Sequence, residues 1–266
     1  MMGLTCLASL IALVPLFFIL FYVISHGIKA VNWDFFTQIP KPVGEEGGGM
    51  ANALVGSLEI ILLASLLGLP IGILGGIYLS ENGEGRLALV ARFTADMLNG
   101  IPSIVIGIFV YTLVVLPMKS YSALAGGIAL GIMMIPTVMR TTEEILKLVP
   151  CSIKEGGLAL GIPYWRVLIS LVLSTARSGI ITGVLLAISR IAGETAPLLF
   201  TTLGNQYWSH KLNEPMAALP LQIFVYAISP YESWQQLAWA GALVLMTVLL
   251  LVNVMSRFFL REKYGK

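Results

Sequence analysis

The sequence predicts an all-α, polytopic membrane helix bundle of about six transmembrane helices, and three observations predict it. Hydrophobic residues make up 57% of the 266 and charged residues only 11%, where an ordinary soluble domain carries roughly 25% charged residues. The apolar residues fall into six runs, each close to the roughly 20 residues a helix needs to cross a bilayer. Lys and Arg gather on one side of those runs, as they do in cytoplasmic loops. The length fits one or two soluble domains, but such domains do not carry so little charge. The net charge of +2 is uninformative beside the placement of the charges.

The first run covers 4–25. It has no basic segment before it, is long for a signal peptide and is followed by no small-residue cleavage site, so it reads as a retained helix. Cys6 opens it. Cys151 lies in a loop, and the two cysteines show no metal-ligand spacing, so both read as free thiols. The second run, 53–79, repeats Gly68, Gly72 and Gly76 on one helical face. Small residues at that spacing let helix backbones approach inside lipid. The third run is 98–116. The fourth, 122–139, repeats the device with Gly127 and Gly131, and 178–199 and 237–259 complete the six. Pro70, Pro102, Pro136 and Pro197 interrupt apolar runs, which is tolerated where protein or water satisfies the freed backbone groups. There is no internal repeat, and the one low-complexity stretch is Gly47, Gly48, Gly49.

With the N-terminus inside, the inner segments hold eleven Lys and Arg and the outer segments four, with Arg190 left inside a span. Both termini are therefore expected in the cytoplasm. Glu59 falls six residues into the second run, where an interfacial carboxylate is expected rather than a gate. His26 and His210 stand singly in outer regions, which argues against a ligand role.

The inner segment 140–177 is far longer than a helix hairpin needs. Ser152 and Glu155 have capping-box spacing. Gly161 suits a left-handed helix end, and Pro163 can open the next helix. A short helix over 153–160, a sharp turn and a second helix from Pro163 are expected, a shape suited to docking into a groove on another protein. Charges inside a membrane are costly and default to functional hypotheses. Arg190 lies on the order of 20 Å beyond Arg177 if the helix is continuous, and Glu194 follows on the same face. A guanidinium fork suits oxyanions; a pair that only fixes helix packing is the other reading. Arg140 ends the fourth run ahead of Glu143 and Glu144. It reads equally as a snorkelling residue or as part of a path.

Glu155, Gly156, Gly157, three residues, Gly161, then Leu171-x-Leu173 resemble the EAA loop of ABC importer permeases, whose pattern is Glu-Ala-Ala, three residues, Gly, nine residues, Ile-x-Leu-Pro. Glycines replace the two alanines, Leu171 the isoleucine and Ser174 the proline. Segments 68–81, 99–107 and 190–201 are similar to stretches of PstA-type permeases of phosphate importers, and the resemblance runs from the second span to the C-terminus. It implies a type I ABC importer permease fold and a single transmembrane permease domain over 1–266, with 140–177 as its coupling loop. It implies Arg190, Glu194 and Arg140 in the substrate pathway, and Glu155, Gly156, Gly157 and Gly161 in ATPase coupling. The implied partners are a homologous second permease, two ATP-binding subunits, a periplasmic or lipoprotein phosphate-binding protein and the lipid bilayer, with no nucleic acid. The implied place is the bacterial inner membrane. ATP binding is expected to shift the bundle toward an outward-facing state and hydrolysis to reset it.

No G-x-x-x-x-G-K-[ST] loop occurs, so ATP hydrolysis is assigned to separate subunits. No H-E-x-x-H, zinc cysteines or G-x-S-x-G appears, and no cofactor or metal is expected. The nearest alternative is an ABC permease for molybdate or sulfate. A membrane-embedded enzyme would not require the long inner loop, and an ion-coupled transporter would favour more intramembrane carboxylates than Glu59 and Glu194.

Overall fold

The computed structural model describes residues 2–43, 45 and 47–261. In chain order the helices are α1 (Met2–Gly27), α2 (Trp33–Thr37), α3 (Ala51–Glu81), α4 (Arg86–Gly100), α5 (Ser103–Val110), α6 (Leu116–Met118), α7 (Ala123–Lys147), α8 (Cys151–Ala159), α9 (Tyr164–Val167), α10 (Leu173–Ala192), α11 (Ala196–Thr201), α12 (Leu219–Ala227) and α13 (Glu232–Arg261). π turns at Tyr111–Val115 and Leu168–Val172 carry α5 into α6 and α9 into α10. Among the described residues there is no strand, only an isolated bridge between Leu203 and Met216.

Among the described residues five helical stretches are long and apolar enough to cross a membrane: Thr5–Gly27, Ala51–Glu81, Ala123–Lys147, Tyr164–Ala192 and Glu232–Met255. A sixth is the pair Arg86–Gly100 and Ser103–Met118, bent by 103°. The all-α six-span class therefore stands, but two spans differ from expectation. The third is not a straight helix over 98–116. Proline confines the residue before it to extended backbone, and Ile101 (ψ 132°) and Pro102 (ψ 134°) are both extended, which breaks the helix there. The fifth begins at Tyr164 rather than 178, and ends at Ala192, where Gly193 caps it, rather than at 199.

The seam between α3 and α7 is the centre of the fold. A Cβ at Gly68 would lie 3.0 Å from Met134 Cβ, one at Gly72 2.8 Å from Val138 Cβ, and one at Gly76 2.5 Å from Thr142 Cβ. The stripe read from the sequence is thus a close backbone contact against successive turns of α7. Gly127 answers from the other helix, where a Cβ would sit 2.7 Å from Leu63 Cβ. Ile60, Ala64, Leu130, Met134 and Val138 fill the seam, joined by Ala187 and Ile191 of α10 and Leu198 of α11. Ser122 caps α7 by accepting from Ala125 N at 3.1 Å.

A second core gathers where the connecting segments meet: Phe35, Met50, Ala53, Ala217, Leu219, Tyr226 and Ala240. Asn32 caps α2 through Phe35 N at 2.8 Å. The backbone of 49–51 bonds back to Phe35, Gln38 and Ile39, so α2 is tied to the start of α3. Segment 203–218 folds over the start of α7, with Ala123 N on Glu214 O and Leu124 N on Leu212 O. Helix α1 lies against α13, where Gly27 admits the Trp239 carbonyl. Along its length Phe17, Phe18 and Phe21 are exposed, as lipid-facing residues are.

Candidate functional site: a charged ladder and an exposed helical turn

Arg190 stands in the last turn of α10. That helix seats closely on α7 because Gly179 faces Ile145 and Gly183 faces Thr141; a Cβ at Gly183 would lie 2.9 Å from Thr141 Oγ1. This seating brings the Arg190 guanidinium to Thr137, whose hydroxyl accepts from Nη1 at 3.2 Å and donates to Asn99 Oδ1 at 3.2 Å. Thr137 lies 14 residues from the start of α7 and 10 from its end, so Arg190 reaches the middle of the span. Arg190 as a residue is exposed, and Thr137 is its one side-chain hydrogen-bond partner among the described residues. Glu194 does not pair with it. The helix ends at Ala192 and Glu194 lies past the Gly193 cap, off the face that i, i+4 spacing assigns it. Its backbone N donates to Ile191 O.

Arg140 lies one turn further along α7, and the structure places it in an ion-pair cluster. Its Nε is 3.0 Å from Asp96 Oδ1 on α4, and its Nη1 donates to Glu143 Oε2 at 2.8 Å. Glu143 is completely buried and is the hub. Its Oε1 accepts from Arg92 Nε at 3.0 Å and Nη2 at 2.6 Å, and from Lys147 Nζ at 2.6 Å. Sequence reasoning named Arg140 and missed Glu143 and Asp96 as its partners, and Arg92 as the second guanidinium on Glu143. The Arg140, Glu143, Lys147 spacing is an i, i+3, i+7 stripe on one helical face, and that signal could have found the hub. Arg92 comes from 51 residues away, a closeness no local pattern carries.

Segment 140–177, expected as an inner loop, is mostly helix. Its first part is the end of α7; α8 follows after a short turn, and α9 opens a long helix. The expected capping box does not form. Pro150 occupies the N-cap of α8, no side chain bonds there, and Ser152 lies inside the first turn. The C-terminus is as expected. Gly161 has φ +75°, its N–H bonds Leu158 O at 2.9 Å, and Ile162 N bonds Gly157 O at 3.3 Å. Those two bonds are a Schellman closure, which glycine enters without steric cost. Pro163 is the N-cap of α9.

The two glycines of α8 have different surroundings. Gly157 is buried, and a Cβ there would lie 2.8 Å from Leu171 Cδ1 and 2.9 Å from Val167 Cγ2. Gly156 is exposed, with nothing within 4 Å of a Cβ. Glu155 and Gly161 are exposed too. Around them Leu148 and Leu160 are each 81% exposed, with Tyr164, Trp165 and Leu158 also presented outward. Lys154 ties this unit to the end of α3 by pairing with Glu81.

At the other end of α3, Glu59 Oε1 meets His210 Nδ1 at 3.0 Å. His210, expected to stand alone, also stacks beside Trp208. His26 stacks on Tyr22 with centroids 4.1 Å apart. Both cysteines are free and exposed, and Cys151 begins α8 rather than lying in a loop. Among the described residues no group of three or more His, Cys, Asp or Glu is placed to hold a metal ion.

The family described as "Binding-protein-dependent transport system inner membrane component" matches residues 68–263. The chain is 50% identical over 249 residues, 93% of its length and 84% of the relative's, to the phosphate transport system permease protein PstA of Yersinia pestis. It is 47% identical to the protein of the same name from Haemophilus influenzae, over 99% of this chain and 93% of that one. Among solved structures, the MetNI methionine ABC transporter in inward-facing conformations superposes with a TM-score of 0.62 at 16% identity, over 80% of this chain and 96% of that chain. At that identity the likeness establishes the fold.

Proposed function

This chain belongs to the binding-protein-dependent transport system inner membrane components, and within them to the PstA phosphate transport system permeases; on that premise we propose how its residues serve phosphate import. It is a membrane-spanning permease subunit of an ATP-driven phosphate importer. The relatives reported above are named for phosphate, and neither molybdate nor sulfate finds support among them. The chain acts as a single transmembrane domain over 1–266 that forms half of the translocation pathway, with a homologous second permease forming the other half. Two ATP-binding subunits hydrolyse ATP, and an outer phosphate-binding protein delivers substrate. Both termini face the cytoplasm, in keeping with the Lys and Arg on the inner segments.

One observation carries the assignment of the path. Arg190 reaches mid-span as an exposed residue, with Thr137 its one side-chain hydrogen-bond partner among the described residues. A charged guanidinium facing lipid at that depth costs about 2.5 to 3.5 kcal/mol, so the exposed face of α10 is a polar passage or a partner-lined one. Its free N–H groups offer a planar fork to phosphate oxygens, which an ammonium does not reproduce. Arg140 lies one turn toward the cytoplasmic side and extends the positive track. Glu194 lies past the helix end and does not pair with the arginine, so its place in the passage rests on the family resemblance alone.

The α8 unit is the coupling surface. Glu155, Gly156 and Gly161 are exposed on it, and Gly157 holds it against the rest of the chain. An exposed helix glycine with empty space beside it has no reason inside this chain. Seating closely in a groove on an ATP-binding subunit supplies one.

The test of the path is phosphate uptake by reconstituted importer carrying Arg190→Gln or Arg190→Lys at matched subunit levels. Both are expected to lose uptake while assembly survives. Near wild-type uptake by Arg190→Gln would remove the arginine from the pathway.

A further inference from the structure

Helices α4 and α7 run antiparallel, and three polar rungs join them in register. Asn99 meets Thr137 at 3.2 Å, Asp96 meets Arg140 at 3.0 Å, and Arg92 meets Glu143 at 2.6 Å. Arg190 caps the top rung through Thr137, and Lys147 closes the bottom one through Glu143. The rungs recur at 92, 96 and 99 on one helix and 137, 140 and 143 on the other, which is one turn at a time. The ladder begins at the proposed anion contact and descends toward the coupling surface.

The rungs are not equivalent. Glu143 is fully buried and holds three cations, so it is a fixed anchor. Asp96 is 49% exposed and contacts Arg140 through one oxygen. Asp96 sits on the last turns of α4, just before the 103° bend at Ile101 and Pro102. A Cβ at Gly100 would meet nothing within 4 Å, so the segment approaching the bend is unpacked on that side. A half-exposed carboxylate on a guanidinium presents the same oxygen chemistry as a phosphate oxyanion, and only one of the two can hold that nitrogen at a time.

We propose that Asp96 is a positioning residue that occupies the Nε edge of Arg140 in place of the transported anion, so that phosphate leaving Arg190 must displace the Asp96 carboxylate to take that edge in a two-point grip. The bottom rung keeps α4 attached while the middle rung exchanges. Asp96 thereby makes Arg140 a weak, transient station rather than a trap, which conduction along a charged path requires. This inference rests on the reading of Arg190 as the anion contact.

The experiment is equilibrium binding of radiolabelled inorganic phosphate to the purified complex of both permeases and the ATP-binding subunits, without the binding protein. Asp96→Asn keeps the shape of the side chain and removes the competing charge. An exposed ion pair is worth up to about 1 kcal/mol, or roughly fivefold. Phosphate is therefore expected to bind about fivefold tighter to Asp96→Asn, and also to Asp96→Ser should the amide disturb folding. Asp96→Glu should restore wild-type affinity, and adding Arg140→Gln to Asp96→Asn should cancel the gain. A merely structural salt bridge would lower the melting midpoint and leave affinity unchanged or weaker. If wild type binds phosphate through Arg190 yet both Asp96→Asn and Asp96→Ser bind no more tightly, the competition is wrong and the Arg190 pathway stands. If wild type binds phosphate independently of Arg190, the pathway reading is overturned and this inference with it.

Discussion

Replacing Gly156 by leucine should make the subunit more stable and the importer less active. A glycine inside a helix costs about 0.8 to 1.0 kcal/mol relative to alanine, and leucine ranks close to alanine. A Cβ at position 156 meets nothing within 4 Å and the site is exposed, so the chain itself gains most of that energy. If α8 seats in a groove, the added side chain instead overpacks the groove, at about 1 to 3 kcal/mol. That weakens docking by roughly 5- to 150-fold. The assay is a paired measurement on reconstituted importer: the melting midpoint of the isolated subunit in detergent, and phosphate-stimulated ATP hydrolysis with pull-down of the ATP-binding subunits. Gly157→Leu is the contrast. Its Cβ would lie 2.8 Å from Leu171 Cδ1 and 2.9 Å from Val167 Cγ2, so it should lower the melting midpoint before docking is tested. Full stimulation in Gly156→Leu would refute the reasoning, because the empty space beside that glycine would then have no partner to fill it.

The seam between α3 and α7 offers a second test. At Gly76 a Cβ would lie 2.5 Å from Thr142 Cβ and 2.6 Å from the Met139 carbonyl, neither of which can rotate away. Gly76→Val should therefore force the helices apart, cost about 1 to 3 kcal/mol or more and lower membrane yield; an unchanged yield and melting midpoint would count against the close contact. Glu143→Gln should strand Arg92, Arg140 and Lys147 around an uncharged hub. With Arg92 and Lys147 partly in solvent, about 2 to 3 kcal/mol of stability is expected to go, read as a lower melting midpoint that Glu143→Asp recovers in part.

The spans at 4–25, 53–79, 122–139 and 237–259 were legible because their runs stay long and nearly uncharged even where Pro70 and Pro136 fall inside them, and single-faced packing does not alter a hydropathy signal. The helices that hold them are α1, α3, α7 and α13, and α7 runs on to Lys147 rather than ending at 139. The first half of the third span was hidden because α4 carries Arg92, Thr94, Asp96 and Asn99, the residues that make the rungs. Polarity that serves the helix contact was read as polarity of a loop. The start of the fifth span was hidden in the same way. Ser170 and Thr175 return their hydroxyls to the carbonyls of Arg166 and Leu171, so residues that look like loop chemistry are satisfied within the helix. The glycine stripe and the Gly161 turn were legible because each is a local geometric demand. The Glu143 cluster and the Glu59–His210 contact join residues 51 and 151 positions apart, and a single sequence does not encode which distant turns meet. The misjudged pair, Arg190 with Glu194, failed on one glycine: i, i+4 spacing places residues on one face only while the helix lasts, and it ends between them.

On the proposed reading, docking at α8 is linked to Arg140 through the helices around it. Helix α7 carries Thr137, Arg140, Glu143 and Lys147 in successive turns, and α8 begins four residues after it ends. A 25-residue helix is about 37 Å long. It is braced along one side by the glycine seam with α3 and along another by Gly179 and Gly183 of α10. Lys154 pins α8 to Glu81 at the end of α3, so a displacement of α8 pulls on both helices of the seam together. Helix α4 is held differently, through polar rungs and a broken connection to α5 rather than a zipper of small residues. A rigid pair moved as one body beside a hinged, ion-paired helix concentrates the motion at the rungs. That is where Arg140 and Asp96 meet, and on the pathway proposed above it is the place where ATP-driven closure would change what the anion finds on its way from Arg190.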